Sequence, residues 1–346
     1  MYKDLKYVTA YIIPLLAVFS LLSSSILAYT TVILIFGIVP FIEIMLPKNE
    51  QPYEVEDKNR RNNSTLFDYL LYINIIIIYA IIGMFIYTVN RTDYTTTTLV
   101  GWILSCGIVL GANGINVAHE LGHRNNKFDQ LLAKILLLPN FYMHFFIEHN
   151  KGHHRYVSTP KDPATARYNE LIYVFWMRSV VQSYISAWRI QLDELTKKGI
   201  PFLSTKNEML IYQLFQFVYL CSIFLITNSF SITFFIFCIA AVGVLLLETI
   251  NYIEHYGLMR KQLSADRWEK VQPWHSWNAN YEVGRILLYE LTRHSDHHYK
   301  ATKKYQTLEH HKESPQLPLG YPGSMLMALF PPVWFIVMNK RIPKQA

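Results

Sequence analysis

Cysteine is nearly absent from this chain. The three present, Cys106, Cys221 and Cys238, all lie in apolar stretches and form no CxxC pair. Their arrangement excludes a disulfide framework and a sulfur-ligated metal centre, and leaves them as small core residues. Charge is missing as well over one long stretch, with no Asp, Glu, Lys or Arg from Tyr7 to Ile42. There is no internal repeat and no low-complexity tract. The first apolar segment has no small-residue cleavage site and runs straight into the second, so a removable signal peptide is not expected.

What remains is rich in apolar residues, which make up 51% of the chain, with a positive mean hydropathy of +0.15. The charge-free run exceeds the roughly 20 residues of one bilayer crossing, which predicts two helices with a tight turn near Thr30-Thr31. Leu70 to Val89, Leu99 to Ala118, Leu210 to Thr227 and Phe230 to Thr249 add four more uncharged or nearly uncharged runs. We therefore expect an all-α integral membrane protein with six transmembrane helices, near 8–28, 31–47, 70–89, 97–118, 210–227 and 230–250. The competing reading, buried helices of a large soluble protein, requires six such runs of bilayer length by coincidence. Residues 1–346 are expected to form a single domain. Leu131 to Ile147 and Met325 to Met338 are broken by proline and polar residues, and are expected to be interfacial or re-entrant. Tyr168 to Gly199 reads as an amphipathic helix on the membrane surface.

Basic residues set the orientation. The turns expected at Ala28–Thr31, Asn90–Thr95 and Thr227–Ser231 hold one basic residue, Arg91. The opposite side carries Lys3, Lys6, Lys48, Lys58, Arg60, Arg61 and most of those after Arg124. Both termini are therefore expected in the cytoplasm, in the inner (plasma) membrane of the cell. The basic balance follows from the loops and implies no nucleic acid.

Nine of the thirteen histidines fall into four tight groups: His119 and His123 in HELGH; His149, His153 and His154 in EHNKGHH; His255 in NYIEHYG; and His294, His297 and His298 in RHSDHH. By the topology above, all four lie at the cytoplasmic ends of helices. On an α-helix, residues four apart share a face, so His119/His123, His149/His153 and His294/His298 can each chelate one ion or bridge toward two. Nine imidazoles exceed what one ion can use, which points to two metals in a cytoplasmic histidine-rich cap. HELGH alone matches the HExxH zinc-protease pattern, but a zinc protease uses three protein ligands and leaves six histidines idle. A metal transporter would need a polar track across the spans, and none is seen. Iron fits better than zinc if the centre does redox chemistry, because zinc does not change oxidation state. A pocket at the ends of apolar helices suits an apolar substrate arriving from the lipid.

These motifs resemble the alkane 1-monooxygenases, membrane-bound non-haem di-iron hydroxylases within the membrane desaturase and hydroxylase superfamily. NYIEHYGL is similar to the signature that separates alkane and xylene hydroxylases from fatty-acid desaturases. The likeness continues through FWMRSVVQSYISAW, QPWHSWN, TKKYQTLEHHKESPQLPLGYPGSM and FPPVWFIVM. The resemblance implies that His119, His123, His149, His153, His154, His255, His294, His297 and His298 bind two Fe ions. It also implies terminal hydroxylation of a medium-chain n-alkane with O2 and electrons from rubredoxin, served by rubredoxin reductase. The alternative is a membrane desaturase or hydroxylase acting on fatty-acyl or alkyl-aromatic substrates. Arg124, NANYEVGR after Trp277 and Thr292 depart from the family pattern. With no CxxC pair there is no fused rubredoxin, so the donor is expected to be separate. A basic cytoplasmic face would attract an acidic carrier.

Several other residues carry expectations. Glu120, Glu148, Glu254 and Asp296 each neighbour a proposed ligand and are candidates to accept its second N–H. Glu248, a carboxylate inside a span, is a candidate to bond a ligand or iron. Glu43 is expected at the interface, His144 as a satisfied interfacial histidine, His310 and His311 at the surface, and His275 near the centre without binding metal.

Overall fold

In the computed structural model, residues 2–265 and 267–343 are described, with side chains from Asp4 onward. Six helical segments are long and apolar enough to cross a membrane: Asp4–Leu21, Ser25–Met45, Leu66–Arg91, Thr96–Gly122, Glu208–Thr227 and Phe230–His255. This matches the expected count, and the protein is a multi-pass, all-helical membrane protein. The fifth span removes the soluble alternative, because only 17% of its apolar window is buried inside the structure. Leu225, Ile226 and Phe230 are among the most exposed side chains, a surface that needs lipid rather than water.

The first turn differs from expectation. It falls at Leu22–Ser24, with Ser25 at φ 53°, and Thr30 and Thr31 begin a helical stretch of the second span. Both sites are polar interruptions of an apolar run. The serine cluster wins because Trp102 Nε1 donates to the carbonyls of Ser20 and Ser23, at 2.8 and 2.9 Å, which closes the turn there. Thr31 is buried instead, its hydroxyl 3.2 Å from that of Ser20.

The fourth and sixth spans form the axis of the bundle and come together through small residues. A Cβ at Gly107 would run into Val242, and one at Gly111 into Leu246. This is the close helix approach that small residues permit in membranes. Beyond the spans, Ile172–Lys197 forms the expected long helix. Tyr321–Ala328 and Pro331–Met338 are bent by 118° at their junction, in keeping with a re-entrant or interfacial element. Among the described residues, sheet is limited to one short antiparallel ribbon, Gln262–Ser264 with Arg267–Trp268.

The cap is fastened to the start of the first span by buried charge. Glu290 accepts from Arg285 Nε at 2.7 Å and from Tyr7 at 2.5 Å. Arg61 donates to Asp4 at 2.7 Å and to the Gln306 carbonyl. Glu43, expected at the interface, is covered by the cap. It is buried at the end of the second span, where Gly284 N–H donates to Oε1 at 3.0 Å and Gly320 packs against the carboxyl. The cap folds back over the span end, a long-range contact that local polarity does not announce.

Candidate metal centre

The structure gathers all nine histidines at one end of the bundle and sorts them into two groups. His119, His123, His149, His154 and His297 form the first, and His153, His255, His294 and His298 the second. Within each group the facing ring nitrogens all lie within 4.8 Å of one another. The closest pairs are His149–His123 and His154–His149 at 3.0 Å, and His297–His154, His153–His298 and His294–His255 at 3.2 Å, all between Nε2 atoms. For metal–nitrogen bonds of about 2.1 Å, neighbouring ligands at right angles sit about 3.0 Å apart. The donors are therefore spaced as an ion would need them, and each group could hold one.

Local backbone explains the sorting. His149–His153 is a π-helical turn, in which the N–H of His154 donates to the carbonyl of His149. The widened i→i+5 turn puts His149 and His154 on one face and sends His153 to the other group. The turn also brings Glu148 so close to Gly152 that a Cβ there would meet its carboxylate. In contrast, His119/His123 and His294/His298 each stay within one group. A second π-helical stretch, Leu110–Ile115, precedes His119 in the fourth span. The short helix His294–Tyr299 is pinned by Asn278, which accepts from Ser295 N–H and donates to its hydroxyl, at 2.8 and 2.7 Å. The substituted Thr292 donates to the Ala279 carbonyl at 2.7 Å.

Burial shapes the protonation of the set. It pushes His123, His149, His154, His294, His297 and His298 well below the ordinary imidazole value, which favours the neutral form a metal requires. Burial acts on His153 in the same direction, but the Asp162 carboxylate beside it outweighs burial and holds His153 above the usual value. Asp162 Oδ2 lies 2.9 Å from His153 Nδ1 and also accepts from Thr165 at 2.5 Å. It therefore fixes the proton on Nδ1 and turns Nε2 toward His298. The sequence reading missed Asp162. It lies nine residues past His153 between Pro160 and Pro163, and no spacing rule marks it.

The neighbouring carboxylates divide differently from expectation. Glu120 pairs with Arg124 and accepts from Tyr305 N–H. Glu148 accepts from Ser186, and burial, with Asp162 nearby, pushes it up to about 8. Asp296 meets Lys303 and His311. Glu248 accepts from Tyr142 and Asn251 and contacts no proposed ligand. Glu254 alone among these touches a proposed ligand, His294, at 3.1 Å. His310 is more covered than the surface residue expected, while His311 keeps part of its side chain exposed. His310 is bonded to Asn280, and His311 to Asp296 at 2.9 Å. His144 is buried against Tyr142 and Tyr184, with no hydrogen-bond partner for Nε2 among the described residues, so it is not satisfied as expected. His275 stays outside both groups, held by Gln272 N–H and Glu269.

An apolar cavity reaches the centre from between the spans. Its walls include Ile13, Ile35, Phe36, Ile108, Leu246 and Met325, and its polar end is formed by His119, His149, Glu254 and His294.

A helical membrane bundle with two polyhistidine groups, opened to an apolar cavity, defines an integral-membrane metalloenzyme. Comparison with known proteins is specific. The fatty acid desaturase family profile matches residues 95–324. Alkane 1-monooxygenase 2 of Pseudomonas aeruginosa is 34% identical over 89% of this chain and 82% of its own. The alkane 1-monooxygenase of Ectopseudomonas oleovorans is 38% identical over 91% and 78%. The xylene/toluene monooxygenase hydroxylase component of Pseudomonas putida is 29% identical over 88% and 80%. The chain belongs to the alkane 1-monooxygenases, within the fatty acid desaturase family.

Proposed function

We propose that this chain hydroxylates the terminal carbon of medium-chain n-alkanes, with two iron ions held by the nine histidines. One observation carries the reading: the apolar cavity ends on His119 and His149 of one group and His294 of the other. The relatives named alkane 1-monooxygenase support the substrate class. In the balanced reaction, one oxygen atom of O2 enters a C–H bond as the alcohol, and the other leaves as water with two electrons and two protons.

Iron at this centre would supply the oxygen-activating redox chemistry that zinc cannot. The chain's own residues do the rest. Ile, Leu and Phe walls bind the hydrocarbon by burial and exclude water from the reacting end. Asp162 keeps the proton of His153 on Nδ1, so that Nε2 faces inward. The electrons come from a redox partner, which we take to be rubredoxin with its reductase. We place both termini and the histidine end in the cytoplasm, on the inner membrane. The basic loops support this orientation, since the first turn at Leu22–Ser24 carries no charge and leaves the count of basic residues unchanged.

The test is a reconstituted assay of the purified protein with octane, rubredoxin, rubredoxin reductase and O2. Production of 1-octanol is expected. No alcohol from any alkane, with iron bound and the donor reduced, would overturn the reading.

A further inference from the structure

Ser158 holds a backbone conformation that residues other than glycine rarely adopt. Its φ is 57°, in the left-handed region, and its side chain is fully buried. Such strain persists only where the surroundings enforce it, and it gathers at functional sites. Three bonds hold this residue. Its hydroxyl donates to the His275 carbonyl at 2.8 Å, its N–H donates to the Thr165 hydroxyl at 2.8 Å, and its carbonyl accepts from Arg260 N–H at 2.7 Å. The Thr165 contact leads to the histidines. That threonine hydroxyl donates in turn to Asp162 Oδ2, the oxygen that lies 2.9 Å from His153 Nδ1. The two donors between Ser158 and Asp162 both point toward the carboxylate, so their bonds reinforce each other in a site closed to water.

At the other end, His275 opens a short segment that reaches the remaining members of the second group. Its carbonyl stands beside the His255 ring, short of a full hydrogen bond, and Nδ1 of that ring has no other partner among the described residues. Trp277 grips the chain on both sides of His255. Its N–H donates to the Glu254 carbonyl at 2.8 Å, and its Nε1 to the Tyr256 carbonyl at 2.9 Å. Asn278 pins the helix that carries His294 and His298. That helix also carries His297 of the first group, so Asn278 serves both groups. The contacts of Ser158 and Trp277 lead to the second group alone.

We propose that His275–Asn278 is a brace for the site of His153, His255, His294 and His298, and that Ser158 is the positioning residue that joins His153 to it. The turn at Ser158 fixes where Thr165 meets Asp162, and Asp162 fixes the His153 ring. Glycine would take this φ without strain. A serine there is explained by its hydroxyl, which ties the turn to the same carbonyl that stands beside His255. Ligands from distant parts of the chain are thereby held in one register. The proposal rests on the reading that these groups bind iron.

The test is zero-field Mössbauer spectroscopy of the full-length protein loaded with 57Fe, together with iron retention against a chelator. Two distinct iron environments are expected in the wild type, because the two sets of donors differ. Ser158→Gly keeps the turn and its N–H to Thr165, and removes only the hydroxyl. If the serine served the turn alone, this variant would match wild type. We expect instead that one doublet changes while the other persists. One of the two irons should be lost at least about 3-fold more readily, below the roughly 10- to 100-fold typical of groups that brace a ligand directly. Thr165→Val should change the same doublet more, and Thr165→Ser should restore it. A Ser158→Gly spectrum and iron retention identical to wild type would overturn the proposal, and so would equal changes in both doublets, which mark general loosening. If Ser158→Gly does not fold, the Thr165 variants decide: equal spectra from Thr165→Val and Thr165→Ser sink the idea. A wild-type protein that binds no iron would instead overturn the reading beneath it.

Discussion

His149 and His153 stand four residues apart in one motif yet face different groups of histidines. His149 Nε2 lies 3.0 Å from His154 Nε2, and His153 Nε2 lies 3.2 Å from His298 Nε2. The π-helical turn between them couples the two groups through one short segment. His149 belongs to a set of five and His153 to a set of four. Replacing His153 with Ala should therefore cost more bound iron than replacing His149, since fewer donors remain. Iron per chain in the two purified variants checks this, and a greater loss from His149→Ala would contradict the sorting.

Asp162→Asn should weaken metal binding without removing a metal-facing nitrogen. The neutral amide accepts more weakly from His153 Nδ1 and can present its NH2 there instead, so the ring loses the charge that fixes its tautomer and raises its basicity. Loss of such a bracing group typically costs about 10- to 100-fold in metal affinity. Chelator competition measures it, and an unchanged affinity would show that Asp162 serves only Thr165 and its loop.

Iron retention should fall with pH. Burial holds six of the histidines below their ordinary value in the folded protein. The unfolded chain binds more protons below the free imidazole value of about 6.5, so stability of this region is present above that pH and declines as pH drops through it. Metal binding moves the same way, because protons compete for the same nitrogens. Iron content measured from pH 8 to pH 5 should drop below about 6.5. A flat profile to pH 5 would argue against a histidine-dominated centre.

Glu290→Gln should destabilise the protein strongly. Burial opposes the charge on Glu290, but Arg285 and Arg293 outweigh burial and hold the carboxyl down to about 2. Breaking a buried pair leaves an uncompensated arginine and costs about 3–5 kcal/mol. The wild-type contribution is present above the unfolded glutamate value of about 4.3 and is lost as pH falls from there toward 2. Thermal unfolding in detergent at neutral pH should show a markedly lower Tm for Glu290→Gln, and equal Tm values would contradict the role.

The spans were legible because long apolar runs leave few alternatives, and the nine histidines because imidazole in such numbers has little other use. The rest depended on contacts the sequence does not display. Helical spacing predicts that His149 and His153 share a face; the π turn separates them, and nothing in EHNKGHH signals the wider turn. Glu43 and His310 read as polar edge residues but are covered by other parts of the cap, Glu43 by Gly284 and Gly320 and His310 beside Asn280. Asp162 and Ser158 act through contacts made only once the cap has folded.

Counting metal tests the central claim most directly. Elemental analysis of the purified full-length protein should find two iron ions per chain, with a marked loss on replacing any one of the nine histidines. One zinc per chain, or iron content indifferent to those replacements, would contradict the account.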